Sequence, residues 1–418
     1  MGFPSYATIA TLCGPAVKVI AGEHTIGLAI FATHPIQYQV PWFRALAAQV
    51  ELEARVYYAM LPDAVEQGRG FGIQFKWDLP LLDGYFWQLL QNRSPRPSLD
   101  NFHGCDVRNI VNLLRQSRPK AALITGWNSL YLLQSLWACY RLGIPTLVRG
   151  DSNVLASRGV LRGWVQRQLI RRFSAFLAVG KLNRQLYEQA GMTPESIFLC
   201  PHFVDNEGFS AQAGQLHTQR SALRHHWNIP DDEVCFLFVG KLIPKKRVMD
   251  FLAGIDLARR AGAKVTGLVV GTGEQMEAVR AFVGARRVPV TLAGFLNQSE
   301  VARAYAAADC LVLPSDFGET WGLVVNEAMA CGLPAIVSDQ VGCGPDLVTE
   351  NETGWVFPMG DVAALGGCMT HSAADAPRLA AMGFVAQKRV LHDYSISRAV
   401  DGTMQAITWL MAGSRGAA

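Results

Sequence analysis

The chain has 418 residues, of which 50% are hydrophobic and 17% charged, with a formal net charge of +4 at pH 7. This length and composition predict a folded globular protein of two domains. So small a net charge gives no support for nucleic-acid binding, and we expect no nucleic-acid partner. Nine cysteines without a Cys-x-x-Cys pair argue against a disulfide framework and a zinc site, which favours a cytoplasmic protein.

Residues 1–24 are predicted to be an extension ahead of the first domain. No basic residue precedes Lys18, and Gly14 and Pro15 interrupt the apolar run. The segment therefore lacks the charged start and continuous apolar centre of a signal peptide. It also falls short of the roughly 20 apolar residues that span a bilayer.

Residues 25–205 alternate short aliphatic runs with longer helical patterns, which predicts a parallel sheet covered by helices. The predicted strands are Thr25–Thr33, Leu52–Tyr58, Ala121–Thr125, Thr146–Arg149, Ala175–Val179 and Ser196–Leu199. Residues 206–232 are more polar and break this rhythm. We expect them to be a linker with one short helix around residues 222–227.

The alternation resumes over residues 233–395, which predicts a second domain of the same kind. Its predicted strands are Val234–Val239, Val265–Val270, Val290–Ala293, Cys310–Leu313, Ala335–Ser338 and Trp355–Phe357. Asn297 and Glu300 have the spacing of a helix capping box. Residues 396–418 are predicted to form a helix and tail that pack back toward the first domain. Two such α/β domains form a cleft where the carboxyl ends of the strands meet, and ligands bind there.

The segment 313–334, LPSDFGETWGLVVNEAMACGLP, has the clearest chemical pattern. A loop carrying Glu319 follows a predicted strand, and a helix that opens near Gly322 contains Glu327. A glycine lets the backbone approach a ligand, and the free N–H groups at the start of a helix suit a phosphate. The candidate ligand-binding residues here are Gly322, Leu323, Val324 and Glu327.

This segment resembles the E-x7-E signature of glycosyltransferase family 4, and the similarity extends over most of residues 233–360. The resemblance implies the GT-B fold, an α/β architecture with two Rossmann-like domains facing across a cleft. It also implies that Glu327 binds the ribose hydroxyls of a nucleotide and that Glu319 faces the donor sugar. The alternative is that Glu327 is an ordinary solvated helix residue.

A basic segment, Gly240 to Arg247, follows the first strand of the second domain. When a diphosphate departs, its growing charge is stabilised by cationic side chains or helix N-termini if no metal takes part. Lys241 and Lys246 suit this role. Family 4 enzymes usually have an arginine at the position of Lys241 and a glycine at that of Arg247, and a lysine lacks the bidentate fork of arginine. A solvated basic cluster is the alternative.

Gly271 and Gly273 follow the next strand and resemble the glycine turn that lies beside the nucleotide base in the family. We predict Gly240, Gly271 and Gly273 as donor-binding residues, although a plain tight turn explains the last two equally well. No Asp-x-Asp motif occurs in a suitable loop. We therefore expect no metal and no cofactor other than the nucleotide-diphosphate sugar as co-substrate.

In the first domain, the sequence T-H-P-I-Q-Y at residues 33–38 follows the first strand and should face the cleft. A version of this loop occurs in a subset of family 4. His34 and Gln37 are therefore candidates for acceptor or phosphate contact. A structural histidine is the alternative for His34.

Two further strand ends reach the same rim. Family 4 members often have a histidine after the strand that matches Ala121–Thr125, but this chain has Gly-Trp-Asn-Ser at residues 126–129, so that histidine is missing or supplied elsewhere. After the next strand, Arg149 is a candidate for binding an anionic group and Asp151 for binding the acceptor hydroxyl. A helix cap is the alternative for Asp151.

A basic amphipathic pattern follows, in which apolar residues alternate with Arg158, Arg162, Arg167, Arg171 and Arg172. Such a helix can lie on an anionic membrane surface and bring an enzyme to a lipid-linked acceptor. This would place the protein at the inner face of the membrane. The alternative is a core-packed helix with a solvated basic face.

Together with these patterns, the resemblance to family 4 implies a retaining, metal-independent hexosyltransferase of glycan or glycoconjugate biosynthesis. It would move a sugar from a nucleotide-diphosphate donor to a hydroxyl of a saccharide or lipid-linked acceptor. Glu319, Lys241 and Lys246 are the predicted catalytic residues. Two other functions remain open: a sugar-nucleotide epimerase of the same fold, which needs no acceptor, and a non-catalytic protein that binds a nucleotide sugar.

Overall fold

The computed structural model describes residues 25–156 and 159–415, which form two parallel α/β domains. The first domain contains a seven-stranded sheet in the order β3-β2-β1-β4-β5-β6-β7. Its strands are β1 (Ile26–Ala32), β2 (Leu52–Tyr58), β3 (Phe86–Leu89), β4 (Ala121–Ile124), β5 (Thr146–Val148), β6 (Ala175–Ala178) and β7 (Ile197–Leu199). Its helices are α1 (Val40–Ala47), α2 (Ala64–Gln67), α3 (Ile110–Ser117), α4 (Leu130–Leu142), α5 (Val160–Ile170) and α6 (Lys181–Gln189).

The second domain contains a six-stranded sheet in the order β10-β9-β8-β11-β12-β13. Its strands are β8 (Val234–Val239), β9 (Val265–Val270), β10 (Val290–Gly294), β11 (Cys310–Leu313), β12 (Ala335–Ser338) and β13 (Gly354–Phe357). The helices from the end of the first sheet onward are α7 (Asn206–Leu216), α8 (Arg220–His226), α9 (Val248–Arg260), α10 (Met276–Arg286), α11 (Val301–Ala307), α12 (Leu323–Ala330), α13 (Gly344–Leu347), α14 (Val362–Ala373), α15 (Ala376–Asp393) and α16 (Ile396–Arg415).

The central strands of both sheets are buried on both faces, which is why they are almost entirely apolar. Every residue of β4, β6, β11 and β12 is buried, as expected for parallel strands covered by helices. The predicted α/β fold with two Rossmann-like domains is therefore confirmed. One strand was not predicted: β3 lies at the sheet edge and pairs with β2.

Residues 206–232 differ from the expected linker with a single short helix. They form α7 and α8, which pack against α11 and, for α7, also α12. Phe209, Leu223 and Trp227 are buried in the core of the second domain. The polar composition of this segment reflects exposed faces of two helices. The final helix, α16, packs on β6, β7 and α1 of the first domain.

Hydrogen bonds join the two domains directly, so their strand ends face one another across the cleft. Asn153, after β5, donates through Nδ2 to the carbonyl of Thr320 at 2.9 Å. The Asp346 carboxylate accepts the backbone N–H of Lys181 at the start of α6, at 3.0 Å. The expected extension, residues 1–24, and Arg158 lie outside the described residues.

Candidate active site

Lys246 and Glu319 form an ion pair between two loops of the second domain. Lys246 ends the 3-10 turn Pro244–Lys246 after β8, and Glu319 lies between β11 and α12. Lys246 Nζ donates to Glu319 Oε2, which also accepts from Ser315 Oγ at 3.1 Å. The two charged side chains are only 13% and 12% exposed.

This arrangement keeps Glu319 ionised. Burial alone raises the pKa of Glu319, but the charge and hydrogen bond of Lys246, with further help from Lys245 and Ser315, outweigh it. The net result is a pKa below the usual value of a glutamate. A carboxylate charge and an ammonium charge thus face each other at the carboxyl edge of the second sheet.

Backbone contacts fix the two loops against each other. The Asp316 N–H donates to the Lys245 carbonyl at 2.9 Å. Arg247 has a left-handed backbone with φ +52° and pairs with Asp250 at 2.7 Å as α9 begins. The turn therefore ends immediately after Lys246, which directs this side chain toward the loop of Glu319.

Glu327, on α12, is 3% exposed and is held by three donors. Tyr305 donates to Oε2 at 2.6 Å, and Tyr38 and Gln298 donate to Oε1 at 3.0 Å and 3.4 Å. Burial raises the pKa of Glu327 despite these hydrogen bonds. The alternative of a solvated helix residue is therefore wrong for this position.

Glu327 lines a cavity of ≈ 100 Å³ together with residues of both domains. Among the predicted donor-binding residues, the lining includes Gly240, Gly271, Val324 and Glu327. Gly322 has φ +103° at the start of α12, and Leu323 and Val324 are the first helical residues. Their N–H groups have no carbonyl within the helix to bond, as at any helix start. Four of the seven donor-side predictions thus line one cavity, whereas Gly273, Gly322 and Leu323 do not line it.

Packing explains the glycine turn. A Cβ on Gly271 would lie 1.9 Å from the Gly240 carbonyl oxygen, and one on Gly273 would lie 2.7 Å from that of Leu242. Both glycines also have φ in the region that favours glycine, +131° and +158°. They let the loop after β9 lie against the loop after β8. Gly271 also lines the cavity, whereas Gly273 does not.

Lys241 does not join the ion pair. Its Nζ donates to the Arg69 carbonyl at 2.7 Å and lies 5.0 Å from the centre of the Phe71 ring. Burial is the main cause that lowers its pKa. Among the described residues, no hydrogen bond or ion pair joins Lys241 to Glu319 or Glu327. The structure therefore directs the two predicted catalytic lysines to different partners.

Residues 68–78, which we call the crossing segment, reach from the first domain over this cavity. Phe71 and Phe75 pack on Phe295 of the second domain, with ring centres 5.2 Å and 4.5 Å apart. Asn297 Nδ2 donates to the Lys76 carbonyl at 2.9 Å. The predicted capping box at Asn297 is wrong, because its side chain bonds across the domains and the helix starts at Val301 without a side-chain cap.

The predicted acceptor residues His34, Arg149 and Asp151 line a second cavity, of ≈ 190 Å³, at the carboxyl edge of the first sheet. Gln37 does not line it. Burial lowers the pKa of His34 to about 4, so this histidine is neutral at neutral pH. The Asp151 carboxylate accepts from Thr320 Oγ1 at 2.8 Å. Because Thr320 follows Glu319, this second cavity adjoins the ion pair.

Sequence reasoning missed Tyr38, Tyr305, the crossing segment and His202. Tyr38 directly follows Gln37 in the T-H-P-I-Q-Y loop after β1. Its place in this loop is the only feature of the sequence that could have pointed to it. His202 follows β7 and lines the second cavity with Asn128, near the place where the family histidine was expected.

Among the residues that the structure describes, no group of three or more His, Cys, Asp or Glu side chains is arranged to hold a metal ion. Within the same residues, no helix has the length and apolar character needed to cross a bilayer.

Part of the chain is similar to known glycosyltransferases. The model of the glycosyl transferases group 1 family matches residues 219–388. A GDP-mannose-dependent alpha-mannosyltransferase of Mycobacterium tuberculosis is 34% identical over 234 residues, covering 54% of this chain and 57% of that protein. A D-inositol 3-phosphate glycosyltransferase of Mycobacteroides abscessus is 32% identical over 220 residues, covering 51% of this chain and 46% of that protein. The chain thus spans about half the length of these relatives.

Among solved structures, Anabaena HepE in complex with UDP and glucose has a TM-score of 0.65 and 15% identity, covering 92% of this chain and 99% of that one. At this identity the likeness concerns the fold. WaaG, a glycosyltransferase involved in lipopolysaccharide biosynthesis, has a TM-score of 0.61 and 16% identity, covering 90% of this chain and 98% of that one. The chain therefore has the two-domain GT-B fold, and its residues 219–388 are similar to the glycosyl transferases group 1 family.

Proposed function

We propose that this chain is a retaining glycosyltransferase that moves a hexose from a nucleotide-diphosphate donor to an acceptor hydroxyl without a divalent metal. One observation carries the proposal. The Lys246–Glu319 ion pair and the buried Glu327 belong to the second domain, and the Asp151–Thr320 hydrogen bond brings the cavity that His34 and Asp151 line next to the loop of Glu319. A donor held at Glu327 would place its sugar between these two cavities.

In this proposal the donor nucleotide binds to the second domain. Glu327 accepts hydrogen bonds from the ribose hydroxyls, while the N–H groups that open α12 and the Lys246 ammonium surround the diphosphate. Lys241 reaches the diphosphate by leaving the Arg69 carbonyl. The cationic groups stabilise the charge that develops on the diphosphate as the bond to the sugar breaks.

Glu319 then stabilises the positive charge that develops at the anomeric carbon. The bond between that carbon and the phosphate oxygen breaks, and its electron pair stays on the phosphate. The acceptor oxygen forms the new bond on the same face, and its proton passes to the departing phosphate oxygen. Retention follows because the acceptor and the leaving group occupy one face of the sugar.

Acceptor-dependent release of nucleoside diphosphate tests this proposal. A GDP-mannose-dependent relative and a UDP-bound structural neighbour make GDP and UDP hexoses the first donors to try. We expect release only when an acceptor is present, no loss of rate on addition of EDTA, and a product whose anomeric proton shows the donor configuration by NMR. An epimerised nucleotide sugar formed without acceptor would support the epimerase instead. Donor binding without any turnover would support the non-catalytic alternative.

We also propose that the protein is cytoplasmic and binds peripherally to the inner face of the membrane through α4 and α5. On α5 only Ile170 is buried, so the helix does not pack into the core along its length. The two helices expose large apolar side chains: Trp137, Tyr140, Val160, Leu161, Trp164 and Val165. Arg162, Arg167, Arg171 and Arg172 are exposed beside them, and such a combination of apolar and basic groups suits an anionic bilayer.

Vesicle binding tests this membrane contact. We expect sedimentation with phosphatidylglycerol vesicles, little with phosphatidylcholine vesicles, and weaker binding at high salt. The double variant Leu161→Ser, Trp164→Ser should lose this binding without a lower melting temperature, because both side chains are exposed in the free protein. Equal binding of the wild type and this variant would contradict the proposal.

A further inference from the structure

The second cavity contains polar atoms that the protein itself leaves unpaired. Three buried side-chain atoms that line it have no hydrogen-bond partner: Gln39 Oε1, Ser129 Oγ and His202 Nε2. They are three of eight such atoms among the described residues. A buried polar atom without a partner destabilises the fold, so a cluster of three in one cavity points to a ligand that pairs with them. Ser129 is only 6% exposed.

The hydrogen positions at His202 follow from its neighbour. His202 Nδ1 lies 3.5 Å from Arg149 Nη2, and a guanidinium can only donate. Nδ1 is therefore the accepting nitrogen, and Nε2 carries the hydrogen. Burial first, and then the charge of Arg149, keep the pKa of His202 well below its ordinary value. The neutral ring thus offers an unpaired N–H donor to the cavity.

Arg149 adds a positive charge without a counter-charge. It is 5% exposed, with its guanidinium 4.9 Å from the centre of the Trp42 ring and 5.4 Å from that of Phe203. Its hydrogen bonds go to neutral groups, Cys200 Sγ at 3.2 Å and the Pro201 carbonyl at 3.1 Å. Among the described residues it has no carboxylate partner. Buried charges in proteins are normally paired. The Asp151 carboxylate lines the same cavity but bonds to Thr320 and makes no ion pair with Arg149, so this guanidinium lacks a direct anionic partner.

From these contacts we propose that the second cavity binds the anionic group of the acceptor, a phosphate on a small hydroxylated molecule. This inference rests on the proposed function, since the reaction proposed there requires an acceptor. The cavity adjoins Glu319 through the Asp151–Thr320 hydrogen bond, which places it where that acceptor would bind. The phosphate accepts from His202 Nε2, Ser129 Oγ and the Arg149 guanidinium, while Gln39 Oε1 accepts from a hydroxyl. A cavity of ≈ 190 Å³ has far more room than the ~10–15 Å³ that admits one water.

The phosphate can belong to a soluble molecule or to a lipid headgroup, and the test has an arm for each. Glycerol 3-phosphate is titrated into the full chain by calorimetry, with glycerol as the neutral control. Phosphatidylglycerol vesicles, with phosphatidylcholine as control, form the lipid arm and are used with the Leu161→Ser, Trp164→Ser background so that only headgroup binding is measured. A saturating nucleoside diphosphate is present throughout, because it occupies the phosphate site at Lys246.

We expect glycerol 3-phosphate or phosphatidylglycerol to bind and the neutral controls not to bind. Arg149→Met should weaken this binding at least tenfold, whereas Arg280→Met, which removes an exposed arginine on α10, should not change it. Because Arg149 is buried, its variant can fail to fold. Ser129→Ala is therefore the second variant: it removes an unpaired hydroxyl, so it should raise the melting temperature of the free protein and still weaken phosphate binding.

The possible outcomes separate this inference from the proposed function. Binding of the soluble phosphate alone identifies a soluble acceptor, and binding in the vesicle arm identifies a lipid headgroup. Equal affinity for glycerol 3-phosphate and glycerol, or unchanged phosphate affinity in Ser129→Ala, overturns the inference. Failure of the protein to bind any nucleoside diphosphate would instead overturn the proposed function, while the phosphate titration without nucleotide would still report on the cavity.

Discussion

Tyr38 of the first domain donates a hydrogen bond of 3.0 Å to Glu327 of the second, 289 residues later in the chain. Tyr305, from within the second domain, donates to the other oxygen of the same carboxylate at 2.6 Å. Glu327 is the residue to which we assign the ribose of the donor. Its two tyrosines therefore have separate tasks: one links the carboxylate to the opposite domain, and the other supports it within its own domain.

The two tyrosines should respond differently to loss of the hydroxyl. A hydrogen bond to a charged group contributes about 1.5–3 kcal/mol. We expect Tyr305→Phe to lower the free energy of unfolding by about this amount and to weaken donor binding. Tyr38→Phe should lower kcat/KM for the donor about tenfold but change the urea midpoint little, because it mainly affects the contact between domains. Equal effects of both variants on stability and on kcat/KM would contradict this division.

The Lys246–Glu319 pair predicts that stability and activity can be separated. Removing one partner of a buried ion pair costs about 3–5 kcal/mol, because the other charge stays buried. Lys246→Met should therefore destabilise the protein and strongly lower kcat. The double variant Lys246→Met, Glu319→Gln should recover most of the stability but none of the activity.

Urea unfolding and initial rates measure these effects, and Glu327→Ala provides the comparison for kinetics. In that variant the donor KM should rise more than kcat falls, because Glu327 binds the nucleotide and does not face the reacting bond. Recovery of turnover in the double variant would show that the ion pair is only structural.

The aromatic contacts of the crossing segment predict how firmly it is held over the donor cavity. Aromatic pairs contribute about 0.5–1.5 kcal/mol each, and Phe295 makes two with Phe71 and Phe75. Phe295→Ala should therefore speed amide hydrogen exchange in residues 68–78 roughly tenfold. Phe282→Ala on α10 is the matched control, since its ring contacts Arg286 and not the crossing segment. Unchanged exchange in Phe295→Ala would show that other contacts hold the segment.

Much of this architecture can be predicted from sequence because parallel strands are short, apolar and separated by helices. Twelve of the thirteen strands were predicted from their own hydrophobic pattern, but β3 has four residues after a long irregular stretch and depends on pairing with β2. Even β7 is recognisable, although Leu199 is exposed. The local pattern also singled out the loops of Lys246 and Glu319 and the helix of Glu327.

Contacts between the domains could not be predicted in this way. Tyr38 is one residue from Gln37, yet only the relative position of the domains decides that the tyrosine reaches Glu327. For the same reason, the sequence suggested a cap at Asn297, whose side chain instead bonds to the first domain. Lys241 likewise has the right spacing for a phosphate but is directed toward the crossing segment.

The buried His34 predicts a pH dependence of stability. Burial lowers the pKa of this histidine from its ordinary value of 6.5 to about 4 in the folded protein. The unfolded chain therefore takes up this proton at higher pH than the folded protein, so the free energy of unfolding falls as the pH is lowered from about 6.5 to about 4. His34→Gln should reduce this slope. His392→Gln, at an exposed histidine beside Asp393, is the control and should leave it unchanged. A slope in His34→Gln equal to that of the wild type would contradict the assignment.

The central claim is that one nucleotide sugar binds at the carboxyl edge of the second sheet, against the loops of Lys246 and Glu319 and beside Glu327. Hydrogen exchange with and without a bound nucleoside diphosphate measures this most directly. We predict protection of residues 240–247, 295–298 and 319–328, and of the loop at residues 34–40 that carries Tyr38. Saturating nucleotide that protects none of these segments, or only surfaces away from the cleft, would contradict the account.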